Sequence, residues 1–125
     1  MMCLTGIYFL DLKTGWAVGN SGIILHTTDG GFTWEKQKNP TMMSLHGVHF
    51  LNPKTGWAVG EFCTMLHTTD GGITWNSEKF DYPRDFIDDL TEVHFLNEKE
   101  GWIIGNCQSI LFTKDGGKTW ELHTY

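Results

Sequence analysis

The chain has 125 residues, a formal net charge of −6 and a hydrophobic fraction of 40%, which is enough apolar content for one ordinary domain with a core. Fifteen glycines, six tryptophans and eight phenylalanines against three prolines predict short strands joined by tight turns and packed with aromatic side chains. The acidic balance and the single arginine, Arg84, argue against nucleic-acid binding, and no apolar run approaches the roughly 20 residues of a membrane span.

The three cysteines, Cys3, Cys63 and Cys107, are odd in number and lack the two-residue spacing of a metal-binding pair. We therefore expect free thiols in a reducing compartment, with a contact between Cys63 and Cys107 left open. The N-terminal residues carry no basic segment of the kind that starts a cleavable signal peptide, so a cytoplasmic location is the default expectation.

Residues 1–125 form one repeat domain, because the windows 4–37, 45–78 and 90–123 align without a gap. Each window contains an apolar first strand, a second strand that begins with Trp, a third that ends in Thr, and a fourth that begins with Thr-Trp. Since the first strands are almost continuously apolar, we expect stacked sheets to cover both of their faces. The predicted strands are 4–10, 16–19, 23–27 and 33–36, then 45–51, 57–60, 64–68 and 74–77, then 90–96, 102–105, 109–113 and 119–122.

A turn with one pattern lies between the third and fourth strands of every repeat. In the first repeat it reads Thr27-x-Asp29-x-Gly31-x-Thr33-Trp34. An aspartate in a turn accepts hydrogen bonds from nearby backbone amides and hydroxyls, and glycine tolerates positive φ. The tryptophan then buries apolar surface beside the turn.

This turn resembles the Asp-box of bacterial neuraminidase repeats. The longer pattern, Gly15-Trp16-Ala17-Val18-Gly19 followed by Ile24-Leu25-His26-Thr27-Thr28-Asp29-Gly30-Gly31, is similar to the photosynthesis system II assembly factor family. The resemblance covers residues 4–123 and implies a β-propeller with one four-stranded blade per repeat, at 4–37, 45–78 and 90–123. It also implies that the Asp-box residues have a structural role remote from ligands: Asp29, Gly31, Trp34, Asp70, Gly72, Trp75, Asp115, Gly117 and Trp120.

Three blades are too few to close a ring, since propellers have about four to eight. A lone three-bladed chain would leave the outer faces of its first and third blades uncovered. We therefore expect a homodimer in which two chains, joined head to tail with C2 symmetry, form a six-bladed ring. The competing interpretation is that the sequence is a piece of a longer propeller.

The sequence does not predict an enzyme, a cofactor or a metal site. Sialidase chemistry uses three arginines to grip a substrate carboxylate, and this chain has only Arg84. Histidines recur at 49 and 94 on the first strands and at 26 and 67 on the third, but other repeats carry Tyr or Phe there. We therefore expect packing with satisfied ring nitrogens rather than metal ligation.

The predicted binding residues lie at the end of the blades opposite the Asp-boxes, where the repeats differ. An exposed aromatic pair beside Arg84 would suit a protein partner, although Phe80, Phe86 and Ile87 could instead fill the groove between blades. The carboxylates of residues 81–89 lack the spacing of an EF-hand calcium loop. The candidates are Asn20, Glu61, Phe62 and Asn106 in the loops, and Asp81, Tyr82, Arg84, Asp85 and Phe86 in the link between the second and third repeats.

The leading hypothesis is a non-enzymatic propeller that binds a protein partner through this loop face, as the resemblance to assembly factors implies. The family's arginine-bearing basic surface is not matched here, because Arg84 is the only arginine. An alternative is a carbohydrate-binding or glycoside-hydrolase-like propeller that would use Glu61, Asp81 and Asp85 with Phe62 and Tyr82. A further alternative is a half-propeller that retains no ligand.

Overall fold

The computed structural model describes residues 3–78, 88–106 and 109–124, which form three four-stranded antiparallel sheets. In each sheet the strands follow one another in chain order, so the prediction of an all-β repeat is confirmed. The first sheet contains β1 (Leu4–Phe9), β2 (Gly15–Gly19), β3 (Ile24–Thr27) and β4 (Glu35–Lys36). The second contains β5 (Leu45–Phe50), β6 (Gly56–Gly60), β7 (Thr64–Thr68) and β8 (Asn76–Ser77), and the third β9 (Leu90–Phe95), β10 (Gly101–Gly105), β11 (Ser109–Thr113) and β12 (Glu121–Thr124).

The fourth strands begin later than predicted. In the first sheet β4 starts at Glu35, although the sequence pattern placed its start at Thr33. The reason is local: the amide and the hydroxyl of Thr33 both donate to Asp29, so Thr33 belongs to the turn rather than to the sheet. The strands β8 and β12 are shifted in the same way.

Stacked aromatic rings join consecutive sheets. Trp16 of β2 lies on Phe50 of β5, with ring centroids 3.4 Å apart and planes inclined by 6°. Trp57 of β6 lies on Phe95 of β9 at 3.6 Å and 4°. Each stack sits in a buried apolar cluster between two neighbouring sheets, and both tryptophans are at most 2% exposed. Burial of these side chains supplies the main stabilising contribution of each interface.

Among the described residues, the middle sheet is the one that has apolar cover on both faces. Its first strand β5 is buried apart from His46, as the apolar run predicted. In β1, by contrast, Ile7 is 64% exposed and Phe9 is 38% exposed, because no described sheet packs on this face. In the third sheet Ile104 is 45% exposed for the same reason on the other side. Within one chain, therefore, the outer faces of the first and third sheets lack the apolar cover that was expected on both faces.

The only helical segments in the described residues are two three-residue 3-10 turns, Asn20–Gly22 and Glu61–Cys63. Both connect the second strand of a sheet to the third. Neither approaches the length or apolar character of a membrane-spanning helix, and no other described segment is a candidate.

Candidate functional site

The strands of each sheet alternate in direction, and this divides the connections between two ends of the molecule. One end, the turn end, carries the connections from first to second strand and the aspartate turns from third to fourth. The opposite end, the loop end, carries the 3-10 turns and the links between sheets. A backbone bond from the amide of Gly30 to the carbonyl of Lys13 (2.9 Å) joins the two connections of the turn end.

Each aspartate of the turn end is bound within its own turn. Thr33 donates its amide to Oδ1 of Asp29 (2.9 Å) and its hydroxyl to Oδ2 (2.6 Å), and the Thr27 hydroxyl donates to Oδ1 (2.8 Å). The Thr27 oxygen also accepts from the amide of Gly31 (3.0 Å). The same bonds recur around Asp70 and Asp115. The carboxylate oxygens are thus engaged locally, which supports the predicted structural role.

These bonds stabilise the ionised carboxylates. The hydroxyl of Thr33, followed by its amide, lowers the pKa of Asp29 to about 2. The corresponding threonines lower the pKa values of Asp70 and Asp115 to about 2 as well. All three carboxylates are therefore ionised at neutral pH, as hydrogen-bond acceptors in a turn should be.

At the loop end, two predicted binding residues hold the chain where it enters the first strand of a sheet. The side-chain oxygen of Asn20 accepts from the amide of Cys3 (2.7 Å), and the Asn20 amide donates back to the Cys3 carbonyl (2.9 Å). Glu61 makes the same pair of bonds with Ser44, at 2.8 Å and 2.9 Å. The third candidate, Asn106, donates its amide to the carbonyl of Asp89 (2.9 Å). The side chains of Asn20 and Glu61 therefore have contacts that fix the loop, whereas the contact of Asn106 is made by its backbone.

Phe62 is presented to solvent in an unfavourable backbone conformation. It lies in the left-handed region with φ of 52°, and its side chain is 63% exposed. Its amide is held by Oδ1 of Asp89 at 3.1 Å. The next residue, Cys63, also has a positive φ of 58°, where the first repeat has Gly22. Ser21, the equivalent of Phe62 in the first repeat, has φ of 57°, so the conformation belongs to the turn, and a bulky residue such as Phe62 costs about 1–3 kcal/mol there.

A groove of about 570 Å³ lies beside the first 3-10 turn. Its rim includes Met42, which is 77% exposed, and the basic side chains Lys36 and Lys38. These residues are not among those predicted from the sequence, because the link at 79–89 differs more strongly from the repeat pattern. The signal was present in the other link, where Met42 and Met43 form an apolar pair among polar residues.

The remaining predicted binding residues are not placed. Asp81, Tyr82, Arg84, Asp85 and Phe86 lie outside the described residues, and so does Cys107. Of the other cysteines, Cys3 is an exposed free thiol and Cys63 is buried, and burial raises the pKa of the Cys63 thiol.

The histidines pack among aromatic rings, as expected. His49 lies between Tyr8 and His94, with ring centroids 4.8 Å from each. Burial, together with the nearby His94, lowers the pKa of His49 to about 4. The expected partner for its ring nitrogen is missing, because Nε2 of His49, like that of His26 and His67, has none among the described residues. No described group of three or more His, Cys, Asp or Glu side chains is arranged to hold a metal.

Three four-stranded meanders stacked through aromatic rings define part of a β-propeller. The chain belongs to the photosynthesis system II assembly factor YCF48 family, whose model matches residues 34–124. A search of curated proteins gave no match.

Solved structures of the family superimpose on almost the whole chain. YCF48 bound to a D1 peptide is 31% identical with a TM-score of 0.84, and the match covers 97% of this chain and 39% of that one. YCF48 from Cyanidioschyzon merolae is 28% identical with a TM-score of 0.79, and the match covers 97% and 37%. This chain thus spans about two fifths of these relatives. An ancestral GH74 enzyme, at 13% identity and a TM-score of 0.72 over 94% and 18% of the two chains, shares the fold alone.

Proposed function

We propose that this protein is a non-enzymatic propeller scaffold that binds a peptide segment of a protein partner through its loop end. The family relationship supports protein binding, because a related YCF48 structure contains a bound D1 peptide. The position of the proposed site rests on the exposure and backbone conformation of Phe62. It is a large aromatic side chain held in the open by a strained backbone, and aromatic side chains are enriched at the centres of protein interfaces.

The surroundings of Phe62 fit a peptide better than a glycan. A carbohydrate site of the kind considered from sequence would use the Glu61 carboxylate, but its Oε1 accepts from the Ser44 amide at 2.8 Å. Elsewhere on the loop end, the groove beside the first 3-10 turn offers apolar contacts from the exposed Met42 and basic contacts from two lysines to a peptide. The relatives with greater identity are described as assembly factors, whereas the enzyme match rests on the fold alone.

The same proposal includes a homodimer that completes a six-bladed ring. In this assembly the loop ends of two chains would surround one axis, so a long peptide could contact both copies of Phe62.

The test is a calorimetric titration of the protein with the D1 peptide captured in the related complex. We expect binding to the wild-type protein and an affinity at least about tenfold weaker after Phe62→Ala, since an aromatic hot spot contributes about 2 kcal/mol or more. The matched control is Phe32→Ala, which removes a 91% exposed phenylalanine from the turn end and should leave the affinity unchanged. No binding by the wild type, or equal losses in both variants, would contradict the proposal.

A further inference from the structure

The molecule makes the same interface twice between its own sheets. In each case a tryptophan on the second strand of one sheet stacks on a phenylalanine at the end of the first strand of the next, Trp16 on Phe50 and Trp57 on Phe95. Beside each stack lies a pair of buried valines in the same cluster, Val18 with Val48 and Val59 with Val93.

The two halves of a third such interface lie unused at opposite sides of the chain. The first sheet presents a leading face, which we define as Leu4, Ile7 and Phe9, exposed by 53%, 64% and 38%. The third sheet presents a trailing face, defined as Leu96, Trp102 and Ile104. Leu96 is 63% exposed and Ile104 is 45% exposed, and Trp102 is partly exposed although its equivalents are buried. Phe9 and Trp102 occupy the positions of the ring partners in the two internal stacks.

One position on the first strand of each sheet, which we call the inner rim, differs between the trailing face and the internal interfaces. There the first and second sheets have Gly6 and Gly47, and the third has Glu92. A Cβ on Gly6 would lie 2.6 Å from the carbonyl oxygen of His46, and one on Gly47 would lie 3.0 Å from Cα of Glu92. Both internal interfaces therefore leave little room for a residue larger than glycine at this position. A strand facing Glu92 has to lie farther away than the internal strands do.

The apolar residues on both faces are enlarged in a way that suits this wider spacing. Where the internal interfaces pair valine with valine, the trailing face has Ile104 and the leading face has Ile7. Each isoleucine adds one methylene group to its half of the contact. His94, which is exposed, would meet Tyr8 rather than a second histidine, continuing the line of rings that runs from Tyr8 through His49.

We propose that the trailing face of one copy packs on the leading face of a second copy, with Trp102 stacked on the partner copy's Phe9 and Ile104 against its Ile7. Glu92 sets a wider spacing at the inner rim. This inference rests on the proposed homodimer and specifies its contacts. The occupant is a second copy because the two faces carry the complementary halves of a contact that the chain already makes twice.

The contact is heterologous, so two damaged chains can complement each other. In a two-chain ring, each interface contains one Ile7 and one Ile104, and either Ile7→Asp or Ile104→Asp therefore damages both interfaces. When the two variants are mixed, a dimer of one chain of each kind has one interface with no substitution. An interface that pairs a face with itself gives no such restoration.

The experiment measures the mass of the full chain by analytical ultracentrifugation. We expect the wild type at twice the 14.2 kDa of the chain, each aspartate variant at 14.2 kDa, and a dimer peak when the variants are mixed. Phe32→Asp at the turn end is the matched control and should leave the dimer intact. Circular dichroism checks that each variant is folded. Should the aspartate variants unfold, Ile7→Val and Ile104→Val keep the fold and should each weaken the dimer about tenfold.

Two different results would overturn the inference. A dimer that survives both aspartate substitutions would show that other surfaces join the copies, and the proposed homodimer would stand without these contacts. A wild-type mass of 14.2 kDa at every concentration would overturn the homodimer itself. Peptide binding is measured separately, so neither result by itself decides whether the loop end binds a protein.

Discussion

Backbone bonds recur at both ends of the sheets, but among the described residues the turn end is the one whose side-chain hydrogen bonds recur in all three repeats. At the turn end, side chains bind the backbone: Asp29 accepts from the amide of Thr33, and Thr27 accepts from that of Gly31. At the loop end, the bonds shared by all three repeats join backbone to backbone, as between the amide of Asn20 and the carbonyl of Cys3. Backbone bonds place no demand on residue type. The turn end is therefore the same in every repeat, and the loop end is free to vary and to carry a binding site.

The largest predicted effect is a loss of stability in acid, which should arise from the aspartates of the turn end. The pKa values of Asp29, Asp70 and Asp115 are about 2 in the folded protein against an ordinary 3.8. A lowered folded-state pKa stabilises the protein above pH 4, and that contribution is lost as the pH falls from about 4 to 2. We expect the melting temperature, followed by circular dichroism, to fall steeply over this range.

The matched variant replaces all three aspartates with asparagine, which does not ionise. We expect it to be less stable than the wild type at pH 7 and to show a flatter dependence between pH 4 and 2. If the wild type and this variant lose stability in parallel, the carboxylates of the turn end are not the cause.

A smaller effect should follow from one glycine of the turn end. Gly72 has φ of 94°, and a Cβ there would lie 2.2 Å from Oε1 of Gln37. Gln37 bridges two sheets, since it accepts from Trp75 Nε1 and donates to the Gly71 carbonyl, both at 3.2 Å. We expect Gly72→Ala to lower the free energy of unfolding by about 2 kcal/mol, measured by urea denaturation.

The neighbouring Ile73 supplies the control for that substitution. Its side chain is 72% exposed, so Ile73→Ala should change stability by no more than about 0.5 kcal/mol. Equal losses at the two positions would mean that any change in this turn is costly, whatever the backbone conformation.

The contrast between the two ends also explains which features of the structure could be predicted from the sequence and which could not. The aspartate turns were predictable because Asp29, Gly31 and Thr33 interact within a few residues of one another, and that spacing is visible in the sequence. The left-handed conformation of Phe62, which recurs at Ser21 of the first repeat, was not predictable, because neither residue type favours positive φ and the bond from the Phe62 amide to Asp89 joins residues far apart in the chain. The Trp16–Phe50 stack joins two different sheets. The sequence shows that both residues are apolar, but it does not show that they pair.

At the loop end, removal of a side chain should stabilise the protein. Phe62→Gly relieves positive φ at a bulky residue, and we expect the free energy of unfolding to rise by about 1 kcal/mol while the peptide affinity falls. The control is Phe32→Gly, the same substitution at a residue that does not have a positive φ. It should lower stability by about 0.5–1 kcal/mol. Changes of the same sign in urea denaturation would show that the Phe62 backbone stores no strain.

The smallest change in stability should come from substitution of Glu61. This substitution tests whether the Glu61 carboxylate stabilises the loop or binds a ligand. An amide oxygen accepts the bond from the Ser44 amide as a carboxylate does, so Glu61→Gln should change stability by no more than about 0.5 kcal/mol. Glu61→Ala leaves the Ser44 amide without this acceptor and should cost about 1 kcal/mol. Peptide binding measured by calorimetry should follow the loop, persisting in the glutamine variant and weakening in the alanine variant. A glutamine variant that is fully stable but does not bind would instead assign the negative charge of Glu61 to the ligand.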